Sequence, residues 1–398
     1  DILIIQLQNA GFDGVIVNTH HLSEMSLDFV DRRHYEIPVW VRHEPDILGT
    51  GGAIKNVDDL WDEHPLLVVN GDIFTDIDFR MVYDYHSTHD QWVTMVLHDR
   101  RPFNVVEVDT SNRIVGFHPR EGPPPGGSLL AFTGVHVLRR DVLDFIPDHT
   151  FVGIIDIYEE LIAQGHAVGA LVLSGHFWHD IGTPQGYRQA AAESLARKSL
   201  IRLVPGGFAR QPTWSALKGD GSDRIWQRVS ADGQSVVLVT HGISPETQVG
   251  EADAFWAIGR HLEAKGIPVP RLYEFHRPSG IIAMADLGDC HLQDIVSAES
   301  TKERLILRYQ PVIDLLVAMG VRGGEDFNIA WTYQTPYYDR QVILEKECAY
   351  FLEQFLNGLE GRNVDPERLR PDFSLLADRG LSSRYRGFLH RDFQSRNI

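Results

Sequence analysis

Short apolar runs alternate with amphipathic segments through the first half of the chain, and this alternation limits the folds open to it most. Strands are predicted at the apolar runs, which lie at 14–20, 38–44, 65–72 and 92–99. Helices are predicted between them, at 52–60 and 79–88. The unbroken apolar run Leu66–Val69 suits a strand buried on both faces. Strands that alternate with helices predict a doubly wound, Rossmann-like α/β domain.

The character of the sequence changes between about residues 190 and 210, where a polar helix runs into "VPGGFARQP". We interpret this stretch as a linker between domains at 1–198 and 205–398. Beyond it come a predicted hairpin, a helix that ends at Gly266 ahead of two prolines, and long helices near 302–319 and 339–357. Strands first and helices after is the order of a two-lobed kinase.

Composition excludes several classes of protein. The formal net charge of −18 argues against a general affinity for nucleic acid or for an anionic membrane. No apolar run reaches the length of a membrane span. The two cysteines, Cys290 and Cys348, lie too far apart to indicate a disulfide framework or a metal knuckle. A cytoplasmic protein with small-molecule substrates is therefore predicted.

Two aspartates in the first half follow apolar runs. Asp72 ends "VVNGD", and Asp180 lies within "HFWHDIGTP". Ligands of open α/β sheets bind beyond the carboxyl ends of the strands, and two carboxylates there can share Mg²⁺ that bridges phosphates. The alternative for either residue alone is a turn or helix-cap aspartate. The nearby cluster "LGTGGA" would let backbone approach a ligand closely and shifts the balance toward a site.

Four segments, "EPDILGTGGAIKNV", "LLVVNGDIFTDID", "FTGVHVL" and "WHDIGTPQGY", resemble the sugar-1-phosphate nucleotidyltransferases in their order and spacing. The N-acetylmuramate-1-phosphate uridylyltransferase and mannose-1-phosphate guanylyltransferase branches are the most similar in these segments. The resemblance covers about residues 1–190. It implies that such a domain also has a glycine-rich loop with an Arg and a later Lys, which we expect ahead of Asp1.

The same resemblance implies roles for individual residues. It implies a catalytic metal on Asp72 and Asp180, base and ribose against Gly51 and Gly52, and the sugar near Gly134 and Asp156.

The chain ends on "FLHRDFQSRNI", which matches the kinase pattern H-R-D-x-x-x-x-N. In this pattern the Asp orients the attacking hydroxyl and accepts its proton, and the Asn binds Mg²⁺. Asp392 is the predicted base, Asn397 the predicted metal ligand and His390 a brace for the loop. A charged surface turn that matches by chance is the alternative.

Further upstream, "LKGDGSDRIWQRV" predicts a hairpin whose turn, with Gly219 and Gly221, could place N–H groups on phosphates. An ordinary hairpin is the default interpretation of such a turn. The following strand, "SVVLVTH", lacks the phosphate-binding Lys of many kinases, and Glu251 could be the partner of such a Lys. Asp286, in "MADLGD", falls where a kinase hinge meets adenine, with backbone carrying the recognition.

The order of glycine turn, helix, hinge and catalytic loop resembles the aminoglycoside phosphotransferase-like kinases over about 205–398. "EADAFWAIGRHLEAKGIPVPRLYEF" and "ECAYFLEQFL" are similar to the anomeric N-acetylmuramate/N-acetylglucosamine kinases. The family's second metal-binding Asp lies downstream of the catalytic loop, so we expect it beyond Ile398.

Both resemblances fit one route, in which ATP phosphorylates an amino sugar and UTP, or another NTP, converts the product to a nucleotide sugar with Mg²⁺ as cofactor. A UDP-N-acetylmuramate or UDP-N-acetylglucosamine type of product, in cell-wall sugar salvage, is the leading hypothesis. Choline kinase joined to CTP:phosphocholine cytidylyltransferase is a second hypothesis, and a non-catalytic nucleotide-sugar sensor is a third.

Overall fold

The computed structural model describes residues 1–101, 103–117, 122–204, 207, 211–219, 224–245 and 247–398. The chain divides into two compact units, Asp1–Ala190 and Ala191–Ile398. The domain limits of 1–198 and 205–398 stay a prediction, because several residues of the proposed linker lie outside the described part.

The first unit is an α/β domain. In chain order its elements are α1 Ile2–Asn9, β1 Val15–Thr19, α2 Ser23–Asp31, β2 Val39–His43, α3 Gly49–Lys55, β3 Leu66–Val69, β4 Ile73–Thr75, α4 Phe79–Ser87, β5 Val93–His98, β6 Val106–Val108, β7 Ile114–Gly116, β8 Ser128–Leu138, α5 Ile154–Ala163, β9 Val168–Val172, β10 Trp178–Asp180 and the start of α6 Pro184–Leu203. The four strands predicted at 14–20, 38–44, 65–72 and 92–99 are confirmed, as is the helix at 79–88.

The main sheet of this unit is mixed rather than parallel. Its order is β7-β6-β8-β5-β9, and β3 pairs with β8 beside this path. Only the β5–β9 ladder is parallel, whereas β8 runs antiparallel to β3, β5 and β6. β1 and β2 form a separate parallel pair. The Rossmann-like α/β prediction therefore holds for this unit, and its main sheet combines antiparallel and parallel ladders.

Alternating side chains place a core on each face of this sheet. In β5, Met95 and Leu97 pack into one cluster, while Val96 between them packs into the other. Because successive side chains of a strand point to opposite faces, a continuous apolar run requires cover on both sides. Leu66–Val69 follows the same rule, since its residues join both clusters, although each of them is only half-buried.

The second unit begins with strands and ends with helices. After α6 its elements are β11 Thr213–Leu217, β12 Ile225–Ala231, β13 Gln234–Thr240, α7 Glu251–Ala264, β14 Leu272–His276, β15 Ile281–Ala285, α8 Leu292–Ser297, α9 Lys302–Arg322, α10 Arg340–Val342 and α11 Pro366–Gly380. The sheet is antiparallel throughout, in the order β11-β12-β13-β15-β14. The part of α6 from Ala191 to Leu200 packs on one face and α7 packs on the other.

The helix predicted at 339–357 forms with a different geometry. α10 continues into two π-helical stretches, Ile343–Cys348 and Phe351–Leu359. Along this helix Val342, Cys348 and Leu352 are buried, whereas Phe351 and Phe355 are each 43% exposed. The wider π-helical turns shift later residues around the axis, so a 3.6-residue period loses register with the buried face.

Among the described helices, none is both long enough and apolar enough to cross a lipid bilayer.

Gly134 lies at an irregularity of β8, where the register with β5 shifts between Met95 and Leu97. Its φ of +80° lies in the left-handed region, and a Cβ there would come within 2.8 Å of the Asn70 side chain. Gly165 has a φ of +87°, yet a Cβ there would meet nothing within 4 Å.

We predict that Gly134→Ala lowers the free energy of unfolding more than Gly165→Ala does. Both variants carry the left-handed strain of about 1–2 kcal/mol, and only the first must also displace Asn70. Equilibrium urea denaturation of the two variants measures the difference. Equal losses would show that the contact with Asn70 relaxes at no cost.

Candidate active site

Asp72 and Asp180 are brought together by a short ladder that is separate from the main sheet. β4 follows Asp72, and it pairs antiparallel with β10, which places Asp180 opposite Ile73. The backbone N–H of Ile181 donates to the carbonyl of Asp72 at 2.7 Å. The pairing aligns the chain so that both aspartates stand at the same end of the ladder.

The two carboxylates border one glycine. The N–H of Gly182 donates to Oδ1 of Asp180 at 2.8 Å. A Cβ on Gly182 would lie 3.1 Å from that oxygen and 3.2 Å from Oδ2 of Asp72. Both aspartates are exposed, so their remaining oxygens face solvent. Two convergent carboxylates can hold Mg²⁺ when water and phosphate oxygens complete its coordination.

Within the part of the chain that the structure describes, no group of three or more His, Cys, Asp or Glu side chains is arranged to hold a metal. The pair formed by Asp72 and Asp180 therefore suits a cation that shares its ligands with a substrate.

Side chains from neighbouring segments pin this ladder in place. Trp178 is buried and donates from Nε1 to the carbonyl of Thr133 at 2.7 Å. Thr75 donates from its hydroxyl to the carbonyl of Phe177 at 2.9 Å, and Asp76 accepts from the N–H of Phe177 at 2.8 Å. Sequence reasoning assigned no role to Trp178, Thr75 or Asp76. Trp178 lies within "FWHD" and Thr75 and Asp76 lie within "IFTD", and neither segment indicates these contacts from sequence alone.

Close packing explains why glycine occupies positions 51 and 52. Both N–H groups, at the start of α3, point to the carbonyl of Val152, at 2.9 and 3.4 Å. A Cβ on Gly52 would lie 2.6 Å from the carbonyl oxygen of Thr150. Gly52 also borders a cavity of about 440 Å³ whose lining includes Arg42. Contact of either glycine with a base or ribose stays a prediction.

The two residues predicted to lie near a sugar have different surroundings. Gly134 abuts Asn70, and its carbonyl accepts from the N–H of Asn70 at 2.9 Å, which ties it to the segment leading to Asp72. Asp156 is exposed in the first turn of α5, where its carboxylate accepts from the N–H of Gly153 at 3.1 Å. Its observed contact is therefore a helix cap.

In the second unit, Asp392 and Asn397 are in direct contact. Nδ2 of Asn397 donates to Oδ2 of Asp392 at 2.8 Å and to its carbonyl at 2.9 Å, while Gln394 donates to Oδ1 at 2.8 Å. The loop is held to the helices by its backbone, since Leu292 donates to the carbonyl of Ile398 at 2.7 Å. His390 lies beside Phe393, and burial lowers the pKa of His390.

The carboxylate of Asp286 is hydrogen-bonded to other residues of the second unit. Its carboxylate accepts from Arg228 at 2.5 and 3.0 Å, from the Ser235 hydroxyl at 2.6 Å and from the N–H of Gly288 at 3.0 Å. Burial acts to raise the pKa of Asp286, but these hydrogen bonds outweigh it and lower the pKa to about 2. A nucleotide contact of this segment through its backbone stays a prediction.

The glycine turn is only partly described. Gly219 follows β11, and a Cβ there would lie 3.2 Å from the Trp226 ring on β12. Gly221 lies outside the described residues. Glu251, at the start of α7, pairs with Arg224 rather than with a lysine.

Residues 1–197 match the family model described as Nucleotidyl transferase. The mannose-1-phosphate guanylyltransferase of Mycobacterium tuberculosis is 28% identical over 242 residues, which cover 60% of this chain and 63% of that protein. The N-acetylmuramate alpha-1-phosphate uridylyltransferase of Neisseria meningitidis is 26% identical over 199 residues, which cover 49% of this chain and 84% of that protein.

The N-terminal half of the chain is a nucleotidyltransferase domain.

A third relative of the nucleotidyltransferase domain is the D-glycero-alpha-D-manno-heptose 1-phosphate guanylyltransferase of Aneurinibacillus thermoaerophilus. It is 26% identical over 193 residues, covering 47% of this chain and 80% of that protein. Among solved structures, HddC from Yersinia pseudotuberculosis aligns with a TM-score of 0.41 at 19% identity, over 48% of this chain and 84% of that one. The chain spans less than two thirds of the length of the mycobacterial relative.

The family match ends at residue 197. The activity of the second unit is therefore argued from its own residues.

We predict that Asp286→Asn lowers the free energy of unfolding by about 2 kcal/mol at pH 7. The pKa of Asp286 in the folded protein lies below its usual value of 3.8. The contribution of its carboxylate to the free energy of unfolding is therefore fully present above pH 4 and is lost as the pH falls toward 2. Denaturation curves at pH 7, 4 and 2.5 should therefore show the two proteins converging.

The matched control is Asp289→Asn, which removes the other carboxylate on Arg228. Its side chain is 77% exposed, so we expect a much smaller loss. A difference between Asp286→Asn and the unchanged protein that is independent of pH would contradict the ionic account.

Proposed function

We propose that the protein is a bifunctional enzyme that makes a nucleotide sugar. The second unit phosphorylates an amino sugar of the N-acetylmuramate or N-acetylglucosamine type at its anomeric oxygen, using ATP. The nucleotidyltransferase domain then joins the sugar 1-phosphate to UTP, or another NTP, with loss of pyrophosphate. The observation that supports this most is the convergence of Asp72 and Asp180 on Gly182.

In nucleotidyl transfer, a phosphate oxygen of the sugar 1-phosphate attacks the α-phosphorus of the NTP. Attacking and attacked groups are both anionic, so their approach is opposed by charge repulsion. Mg²⁺ supplies neutralising charge when bound. Asp72 and Asp180 would hold it, because carboxylate oxygens are its preferred protein ligands and both remain exposed. The hydrogen bond from Gly182 orients Asp180 without neutralising it.

In the kinase half, Asp392 orients the anomeric hydroxyl and accepts its proton as the oxygen attacks the γ-phosphorus of ATP, whose bond to the bridging oxygen breaks so that ADP leaves. Gln394 and Asn397 hold the Asp392 carboxylate from two sides, so its direction is set before the sugar arrives. The Asn397 carboxamide oxygen remains available for Mg²⁺, since the contact to Asp392 uses its nitrogen. An antiparallel sheet followed by helices agrees with a two-lobed kinase.

The two activities are chemically consecutive. The kinase product, a sugar 1-phosphate, is the class of substrate named for relatives of the nucleotidyltransferase domain. Since both steps consume nucleoside triphosphates, we propose that the enzyme works in the cytoplasm, in the salvage of cell-wall sugars.

The nucleotidyltransferase step is tested with Asp72→Asn and Asp180→Asn in protein expressed from its complete reading frame. We expect each variant to lower kcat for UDP-sugar formation by about 10²-fold or more, because Mg²⁺ is held less well. Asp84→Asn, an exposed ion-paired aspartate on α4, is the control. Unchanged kcat in both site variants would remove the metal role of this pair.

The kinase step is tested with Asp392→Asn and Asn397→Ala. We expect Asp392→Asn to lower kcat for sugar phosphorylation by about 10²- to 10⁴-fold with little change in ATP affinity. Asn397→Ala should instead weaken Mg²⁺-dependent ATP binding, because it removes a metal ligand. Neither should alter nucleotidyl transfer.

Asp372→Asn, an exposed aspartate on α11, is the control for this half. Assays with N-acetylmuramate, N-acetylglucosamine and choline as acceptors identify the substrate class. Phosphorylation of choline alone would replace the sugar assignment, and an Asp392→Asn enzyme of unchanged kcat would overturn the kinase mechanism.

A further inference from the structure

The kinase half has no lysine on β13, the strand from which kinases commonly supply the cation that contacts ATP phosphates. The acidic partner of that cation is nevertheless present. Glu251 is the first residue of α7, and it forms an ion pair with Arg224. Arg224 immediately precedes β12 and follows the glycine turn.

Arg224 is held at one edge of its guanidinium. Nε donates to Oε1 of Glu251 at 2.9 Å, and Nη2 donates to the same oxygen. Nη1 makes no hydrogen bond to any residue that the structure describes. The side chain is 33% exposed, so it is half-buried with an accessible edge. A guanidinium fixed on one side can present its other side to a ligand.

His241 completes the surroundings of Glu251 from β13. It follows the strand directly, its side chain is fully buried, and its Nδ1 lies 3.4 Å from Oε2 of Glu251. Neither ring nitrogen has a hydrogen-bond partner in hydrogen-bonding geometry among the described residues. Burial lowers the pKa of His241 although Glu251 acts in the opposite direction, so the ring is neutral at pH 7. The positive charge of this cluster is therefore that of Arg224.

We propose that Arg224, positioned by Glu251, is the cation that contacts the phosphates of the nucleoside triphosphate in the kinase half. This inference rests on the proposed kinase activity. The guanidinium takes the place of a strand lysine from a position directly before β12, the strand that pairs with β13. Planar guanidinium groups bind phosphate with two parallel hydrogen bonds, which suits this role.

Lys218 is the competing candidate. It lies on the other side of the glycine turn and is exposed. No carboxylate among the described residues pairs with Lys218, and an exposed lysine that is not held in place loses side-chain freedom when it binds phosphate, which lowers its contribution. Arg224 is already held by Glu251, so less freedom is lost on binding.

The test compares ATP with adenosine, because only ATP carries the phosphates. Isothermal titration calorimetry with Mg²⁺ is applied to the unchanged protein and to Arg224→Gln, Arg224→Lys, Glu251→Gln and Lys218→Gln. We expect Arg224→Gln to weaken ATP binding by at least about tenfold and adenosine binding by less than about twofold. Arg224→Lys should recover part of the loss, and Glu251→Gln should reproduce part of it.

The matched control is Arg260→Gln, which removes another arginine that pairs with a glutamate of α7. It should bind ATP and adenosine normally, and thermal melting checks that all variants fold.

The outcomes separate this inference from the proposed function. Equal loss of ATP and adenosine binding in Arg224→Gln would indicate a structural role and overturn the inference. A phosphate-selective loss in Lys218→Gln, with Arg224→Gln unaffected, would assign the contact to Lys218. If the unchanged protein binds neither ATP nor adenosine, the kinase assignment itself fails.

Discussion

The three-residue pairing of β4 with β10 is the contact on which the candidate site of the nucleotidyltransferase domain depends. It brings Asp180 alongside the start of β4 and so next to Asp72. Two carboxylates repel each other in the absence of a cation, so they converge only where backbone pairing imposes it. The buried indole of Trp178, bonded to the carbonyl of Thr133, couples this ladder to β8 of the main sheet. Backbone hydrogen bonds therefore offset the repulsion between the two carboxylates.

Much of this domain could be predicted from local pattern, and the rest could not for a definite reason. Apolar runs located β1, β2, β3 and β5, and the need for such a run is clearest in β5, which is buried on both faces. The direction of β8 carries no such signal, since parallel and antiparallel partners bury the same side chains. The ladder of β4 and β10 escaped prediction for a related reason. Each strand has only three residues, too few for a period to show.

In the second unit, linear sequence motifs did not indicate side-chain partners that come from other elements. The contact between Asp392 and Asn397 agrees with the spacing of the kinase pattern. Asp286 was predicted to lie where a kinase hinge meets adenine, and its carboxylate accepts hydrogen bonds from Arg228, which comes from β12. Arg224 reaches Glu251 in the same way, from a different element. Such partners depend on strand register and helix placement, which a linear motif does not contain.

An acidic chain that acts on polyanions must supply positive charge locally. With a formal net charge of −18, the chain as a whole has no general positive field to attract phosphates. We propose that carboxylates resolve this where they recruit a divalent cation, since the negative charge of Asp72 and Asp180 would then be the reason that Mg²⁺ and phosphate bind together. In the proposed kinase unit Arg224 would supply a permanent charge, and Glu251 holds that arginine in place. The acidic composition is therefore compatible with the proposed phosphate transfers, because Asp72, Asp180 and Glu251 are themselves acidic.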